Sequence, residues 1–573
     1  MKKRWCVHSP DHDKISRLVT ELSCRRPVAA VLVNRGLSAP KEAASFLKPS
    51  FADMRSPFLM KDMDRAVSRL LLALERREKV LVFGDYDADG MSGTALLFNF
   101  FAYLGMEVAY YIPDRLTEGY GLTPQFVEKQ AVGRDIGLIV TVDCGISSHE
   151  AIEEAKGHGI DVVVTDHHEP GEQPPEAFAI LNPKQPGCAS GLACLAGVGV
   201  AFNLALALRK RLRDDGFWKR RPEPNLKASC DLVALGTVAD MVPILQENRI
   251  YVKAGLEVLA TSTRPGIKAL LDVCNVTNGR IDTWDVAFKL APRINAAGRL
   301  RHGSMGCELL TTSSSRIAQT IADELDHENT RRRDIERQIL SDIVRGLDAA
   351  PETLGRSLVL HNPTWHEGVI GIVASRLVHQ YMRPVVLIAV TDGMGKGSAR
   401  SPKGFNLFEA LAGCAQHLEK FGGHESAAGL TLKAENIPAF RQAFDSQVRE
   451  MASPEDFMPR LDIDTEISPS EITPELADEL EALAPFGTGN PEPLFVLSDM
   501  EVRSARVVGN CHTQMQLVPA GDSASTPFQA IAFNTATEKS LPDQLHHIAC
   551  HIRWNRWKDR KTLQLIIRDF VTH

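Results

Sequence analysis

The chain has 573 residues, too many for one ordinary core, and a domain size of about 150 residues divides it into three or four units. Hydrophobic residues at 44% and charged residues at 24% are those of a folded globular protein, and a formal net charge of -7 argues against a uniformly basic coat for nucleic acid while leaving room for local patches.

The N-terminus, MKKRWCVHSPDHDK, lacks the apolar stretch of a secretory signal. The longest nearly apolar segment, GVGVAFNLALAL (197–208), falls far short of the roughly 20 residues that span a bilayer. The cysteines are scattered without a CxxC pair, which reads as reduced thiols in a cytoplasmic protein and not as structural zinc or a disulfide frame.

Along the chain, three β-branched runs come first: VLVFGD (80–85), LIVTVD (138–143) and VVVTD (162–166). Helical segments such as SGTALLFNFFAYLG and SSHEAIEEAKGHG separate them, so the pattern predicts a parallel sheet covered on both faces. Each run ends in an aspartate, and the carboxyl ends of parallel strands share the edge where ligands bind. LVALGTVADMVPI (232–244) adds a further acid, Asp240, at the end of its apolar stretch.

The charged, proline-rich DDGFWKRRPEPNLKA (214–228) reads as an exposed excursion. Residues 315–347 then repeat Ile317, Ile321, Leu325, Ile335, Ile339, Ile343 and Leu347 at helical spacing, predicting one long helix between two lobes. SLVLHNPTWHEGVIGIVASRL (357–377), PVVLIAV (384–390) and FGGHESAAGLTL (421–432) predict a second α/β unit, and the strand-rich tail beyond about 455 predicts a small closed β-barrel. The expected division is an N-terminal segment with a catalytic α/β domain over 1–310, a connecting helix over 311–350, a second parallel-sheet domain over 351–455 and an OB-type barrel over 456–573.

The sheet edge would collect Asp85, Asp87, Asp89, Asp143, Asp166, His167, His168 and Asp240. Any one of these motifs alone is more often a solvated turn, but so many carboxylates together need cations to neutralise them. Oxygen ligands with an imidazole and no thiolate suit Mn²⁺ or Mg²⁺, and two such ions point to phosphoester hydrolysis.

VFGDYDADG, VTVDCG, VTDHHEP and LGTVADMVPI resemble, in order and type, the four motifs of the DHH phosphoesterase superfamily, and GGHESAAGL resembles the signature of its DHHA1 domain. With APRINAAGR (291–299), WHEGVIGIVASR (365–376) and PFGTGNPEP (485–493), the resemblance extends over nearly the whole chain to the RecJ family. It implies a single-stranded-DNA-specific 5′-to-3′ exonuclease of recombination and repair that releases 5′ mononucleotides by two-metal hydrolysis. Two Mn²⁺ or Mg²⁺ ions would be held by Asp87 on one side, by Asp89, His167 and Asp240 on the other, and by Asp143 between them. His168 would touch the scissile phosphate or assist the leaving group, and Asp166 would orient its neighbouring histidine. Some relatives carry a histidine where this chain has Phe83, so the missing ligand falls to water or to Asp85.

The resemblance also assigns DNA contacts to Arg115, Arg293, Asn295, Arg299, Ser375 and Arg376, and to Gly422, Gly423 and His424, whose backbone and ring would meet a phosphate. Tyr120 is either a base-stacking or a packed loop aromatic. RWNRWKDRK (553–561) interleaves Trp554 and Trp557 with basic residues, a composition that holds single strands, although the spacing leaves one tryptophan as a core candidate. Single-strand-binding protein and a RecQ-type helicase are the expected protein partners. The competing readings are a DHH phosphoesterase of short oligonucleotides or cyclic dinucleotides, which needs no barrel, and a non-catalytic DNA-binding scaffold, which needs no intact acids.

Overall fold

The computed structural model describes residues 3–115, 117–276, 279–300, 303–350, 354–509, 511–522, 524–535, 543–557 and 560–572. A short strand β1 (Arg4–Val7) precedes the first lobe, whose sheet comprises β2 (Lys79–Gly84), β3 (Glu107–Tyr111), β4 (Ile136–Val142), β5 (Asp161–Thr165) and β6 (Ala179–Leu181). All pairings are parallel, in the order β3-β2-β4-β5-β6. Alternate residues of the strands feed two cores: Val80, Val82, Val140 and Val163 pack with the helices Ala88–Leu104 and Gly197–Asp214, while Leu81, Phe83, Ile139 and Val164 face the helix His149–Gly157. The helix Ala88–Leu104 is apolar on nearly all sides because it lies inside this layer; Asp87 caps its start and Gly105 ends it in the left-handed region, φ 85°.

One helix of 35 residues, Ser315–Ala349, joins the lobes. Ala318, Ile321, Ala322 and Leu325 bury in the first lobe, and Ile339, Ile343 and Leu347 in the second, so the expected stripe serves two cores in turn. Ile317 departs from the pattern and is exposed. The excursion 214–228 is largely exposed, with Phe217 and Trp218 tucked against the first-lobe core.

The second lobe holds β7 (Leu358–Asn362), β8 (Val385–Thr391), β9 (Met394–Arg400), β10 (Lys420–Gly423) and β11 (Ala427–Lys433) in the order β10-β11-β9-β8-β7. Only β7 and β8 are parallel, so the expectation of a wholly parallel second sheet is corrected. The reason is local: Asp392 and Gly393, at φ 49° and 77°, make a two-residue turn that folds β9 straight back on β8.

The tail contains β12 (Arg460–Ile463), β13 (Thr465–Glu466), β14 (Phe495–Val508), β15 (His512–Pro519), β16 (Phe528–Ala532), β17 (Gln544–Trp557) and β18 (Arg560–Val571). The order β14-β15-β16-β18-β17 closes through a β14–β17 pairing into the expected barrel. The start of the N-terminal segment packs here, while the carbonyls of Phe46 and Leu47 also accept from Arg249 and Lys253 of the first lobe and Met60 and Met63 enter the first-lobe core. β1 pairs with β12, and Leu18, Val28, Leu32 and Phe46 share a core with Leu476, Phe495 and Ile548. The apolar run PVAAVLV in the helix Arg26–Asn34 needs cover, and the helix Pro474–Ala482 together with the barrel supplies it.

The PFGTGNPEP loop ties the barrel to the first lobe. Asn490 Nδ2 donates to the carbonyls of Leu483 (2.9 Å) and Pro485 (2.7 Å), and Ile244 N donates to Thr488 O at 2.8 Å. Among the described residues no helix is long and apolar enough to cross a membrane.

Candidate metal centre

The alternate aspartates of DYDADG have three different environments. Asp85 follows β2 directly; it is 5% exposed, and its Oδ1 has no hydrogen-bond partner. Asp87 turns the chain into a helix, with Oδ1 accepting from Asp89 N (2.9 Å) and Gly90 N (3.0 Å). Asp89 accepts from Gly197 N (2.7 Å) and Val198 N (2.9 Å), so the start of a second helix braces it.

Asp143 follows β4 in the left-handed region, φ 60°, and is 2% exposed. A Cβ on Gly197 would lie 2.6 Å from the Asp143 Cβ, so only glycine lets that helix approach. After β5, Asp166 is fully engaged: Oδ1 accepts from His167 N (2.7 Å), His168 N (3.1 Å) and His168 Nδ1 (2.8 Å), and Oδ2 from Ile146 N (3.0 Å). His167 Nε2 lies 3.0 Å from Asp143 Oδ1, 3.5 Å from Asp240 Oδ2 and 4.0 Å from Asp89 Oδ2. Asp240 reaches this point from the end of the helix Cys230–Ala239.

Three sets therefore have ligand atoms within 4.8 Å of one another: Asp85, Asp87 and Asp143; Asp89, His167 and Asp240; and Asp143, His167 and His168. Asp143 Oδ1 and His167 Nε2 are buried without a hydrogen bond, as is Asp85 Oδ1. Oxygen donors with one or two imidazoles and no thiolate fit hard or borderline divalent cations.

Burial and mutual repulsion shape the protonation. Burial and the charge of Asp87 raise Asp89 to about 7, and burial with Asp89 and Asp87 raises Asp240 to about 9. Asp85 and Asp143 are pushed well above the carboxylate range by burial first and by their acidic neighbours second. Burial and the charge of His168 hold His167 down to about 3, leaving its ring neutral and ready to bind a cation. Burial depresses His168 too, but the hydrogen bond and charge of Asp166 outweigh it and lift this ring above its ordinary value.

Without metal, the folded chain keeps protons on acids that the unfolded chain releases near pH 4, so stability is present at low pH and lost as pH rises through about 7 to 9. His167 opposes this only below about 6.5, its unfolded value. Metal-free protein is expected to melt a few degrees lower at pH 9 than at pH 6.5, with Mn²⁺ restoring more stability at pH 9. Melting temperatures in chelator and in Mn²⁺ check this, and equal melting at both pH values without metal would contradict the crowding of these acids.

Arginines gather next to the acids. Arg115 lies over the Tyr86 ring at 5.2 Å, beside Asp85. Arg299 is pushed down to about 10 by burial and by Arg115, Arg332 and Arg400, and Asp87 acts on it from the other side. Its Nη1 donates to Gly368 O (3.2 Å), bridging the lobes. Ser375 donates to Gly371 O (3.1 Å), and Arg376 pairs with Glu336. Gly422 and Gly423 end β10 and His424 begins the exposed turn to β11, so this is a hairpin and not a turn before a helix; Ala427 of β11 pairs with Arg400.

Other expected DNA contacts are engaged within the fold. Arg293 is held by Asp326 (2.8 Å) and Lys289 O (2.7 Å), and Asn295 Oδ1 accepts from Ala88 N (2.7 Å), bracing the first motif. Trp554 donates to Asp478 (2.8 Å) beneath Lys561, 4.0 Å from its ring centroid, so it packs against the helix Pro474–Ala482. Glu492, Glu481 and Asp478 neutralise Arg553, Arg556 and Lys561. The Trp557 side chain lies outside the described residues.

Sequence reasoning missed Arg332, hidden in a charged run that reads as a solvated helix face, and Arg400. It also missed the role of Tyr120, whose Oη donates to the Asp143 carbonyl (3.0 Å) and lies 3.2 Å from His168 Nδ1.

Family models match in chain order: the DHH family N-terminal domain over 79–237, the DHHA1 domain over 355–450 and the RecJ OB domain over 463–569. The chain is 40% identical over 587 residues to the single-stranded-DNA-specific exonuclease RecJ of Escherichia coli K12, covering 99% of each. It is 37% identical to the protein of that name from Bacillus subtilis 168, over 99% of this chain and 71% of the relative. The crystal structure of RecJ with Mn²⁺ from Thermus thermophilus superposes with a TM-score of 0.84 at 31% identity, covering 100% of this chain and 80% of that one. The Mg²⁺ complex from the same source gives 0.78 at 28%, covering 100% and 78%. The chain belongs to the RecJ family of DHH phosphoesterases.

Proposed function

We propose that this protein is a single-stranded-DNA-specific exonuclease that degrades strands from the 5′ end and releases 5′ mononucleotides in recombination and repair. The observation that carries the metal assignment is that Asp143, whose Oδ1 is buried and free of hydrogen bonds, belongs to the set with Asp85 and Asp87 and lies 3.0 Å from His167 Nε2 of the set with Asp89 and Asp240. Asp85, Asp87 and Asp143 would hold one divalent ion, Mn²⁺ or Mg²⁺, and Asp89, His167, Asp240 and Asp143 the other. When bound, such a pair activates water and neutralises the charge that develops on the phosphate.

The remaining steps belong to the chain. Asp166 fixes His168 through Nδ1, so Nε2 is the ring nitrogen left to bind the scissile phosphate or give a proton to the leaving oxygen. Arg115, Arg299, Arg332 and Arg400 offer donors to phosphates entering between the lobes, with the GGH hairpin one strand away from Arg400. The long helix fixes the width of that passage. The barrel favours a polymer substrate over dinucleotides, because short-substrate enzymes need only the two lobes. Cytoplasmic action alongside single-strand-binding protein and a RecQ-type helicase completes the reading.

Mn²⁺-dependent digestion of 5′-labelled and 3′-labelled single strands beside matching duplex tests it. Early release of labelled mononucleotide from the 5′ label alone, with duplex spared, is expected. Cleavage confined to dinucleotides would remove the polymer from the account.

A further inference from the structure

The most exposed aromatic pair in the first lobe has no role in the metal centre. Trp284 is 57% exposed and Phe288 65%, with ring centroids 5.5 Å apart, and Lys289 Nζ lies 5.3 Å from the Trp284 ring. Burying neither ring is unfavourable for a surface with no partner, and two adjacent open rings under a cation form a surface on which bases stack.

Their position supplies the occupant. Thr283–Asp285, Val286–Leu290 and Ala291–Leu300 form one continuous helical run. Val286, Leu290, Ala291, Ile294 and Ala297 are buried, Trp284 and Phe288 are exposed, and Pro292, Asn295 and Arg299 are half-buried. Spacings of four, four, three and four place the last five on a single helix face. That face ends at Asn295, which braces the first motif, and at Arg299, beside Asp87. The turn Val286–Leu290 also packs against the helix that ends at Asp240. At its other end the run meets the barrel side: Thr283 Oγ1 donates to Phe486 O at 2.6 Å, and Arg280 pairs with Glu481 at 2.8 Å. At 1.5 Å per residue, and less across the π-helical turn Val286–Leu290, Phe288 and Trp284 stand roughly 10 and 15 Å along the run from Asn295.

We propose that Trp284 and Phe288 are a base-stacking platform that holds single-stranded DNA between the barrel and the metal centre. This rests on the nuclease reading above and adds a subsite to it. With a stacked rise of about 3.4 Å per nucleotide, the bases it holds lie roughly three to five nucleotides from the cleaved end.

The test compares two long single strands that differ only in having abasic sites at those positions, with wild type and the Trp284→Ala/Phe288→Ala double variant. Wild type is expected to show a lower KM for the strand with bases. In the double variant that KM rises by about tenfold or more, the preference for bases disappears, and kcat changes far less than KM. The aromatic replacements Trp284→Phe and Phe288→Tyr restore the preference. A double variant that still prefers the strand with bases as strongly as wild type overturns the platform. A wild type that cleaves neither strand overturns the nuclease reading instead, and equilibrium binding of the same two strands then decides the platform by the same loss or retention of preference.

Discussion

Asp143→Asn is expected to lower Mn²⁺-dependent hydrolysis by at least about 10³-fold, about 4 kcal/mol of transition-state stabilisation, while the metal-free protein melts at the same temperature or higher. Asparagine keeps the shape and tolerates the left-handed backbone that Asp143 adopts at φ 60°, so the fold has no reason to change. It removes the one carboxylate shared by two ligand sets. It also removes a group whose ionisation burial and the charges of Asp89, Asp87, Asp240 and Asp85 oppose, so the metal-free variant loses less stability as pH rises. Steady-state rates and melting temperatures together check this: an inactive variant that has also unfolded would make Asp143 a structural residue, and an active one would remove it from the metal centre.

The largest effect on stability is expected at Arg249, which is 2% exposed in the helix Gln246–Ala260. Its guanidinium donates to Phe46 O (2.7 Å), Leu483 O (2.9 Å), Ala484 O (2.9 Å) and Pro485 O (3.3 Å), and its centre lies 3.7 Å from the Phe46 ring centroid. One side chain thus joins the N-terminal segment, the first lobe and the approach to the barrel. Asn490 still serves Leu483 and Pro485 when Arg249 is gone, but the carbonyls of Phe46 and Ala484 lose their donor and a cavity opens. Burial pushes Arg249 down to about 9, so removing the charge recovers part of the loss. The balance for Arg249→Ala is a destabilisation of about 3 kcal/mol, read from chemical denaturation. The same loop holds Ile244 four residues after Asp240, so weaker Mn²⁺ binding should accompany it. An Arg249→Ala protein with wild-type stability would show that the barrel is held mainly elsewhere.

The first lobe was legible because strand runs ending in aspartate carry both the fold and the chemistry in one local pattern. The same pattern brings the acids and histidines to one sheet edge, where Asp85 lies with Asp87 and Asp143. What was hidden depends on contacts distant in sequence. Asn295 reads as a phosphate donor until its carbonyl is seen capping Ala88, and Trp554 reads as a stacking residue until Asp478 and Lys561 pin it. The N-terminal helices show their apolar faces in sequence but not which core those faces enter. The antiparallel return of β9 on β8 turned on one Asp-Gly pair. Trp284 and Phe288 drew no notice because an aromatic pair in a helix ordinarily enters a core; only their exposure gives them a different meaning.

The most direct measurement is a Mn²⁺ titration followed by electron paramagnetic resonance, with wild type and Asp143→Asn side by side. Two ions per wild-type chain with the signature of a spin-coupled pair are expected, and loss of that coupling in the variant. A single ion in wild type, or an unaltered coupled pair in Asp143→Asn, would contradict a shared carboxylate at the heart of this site.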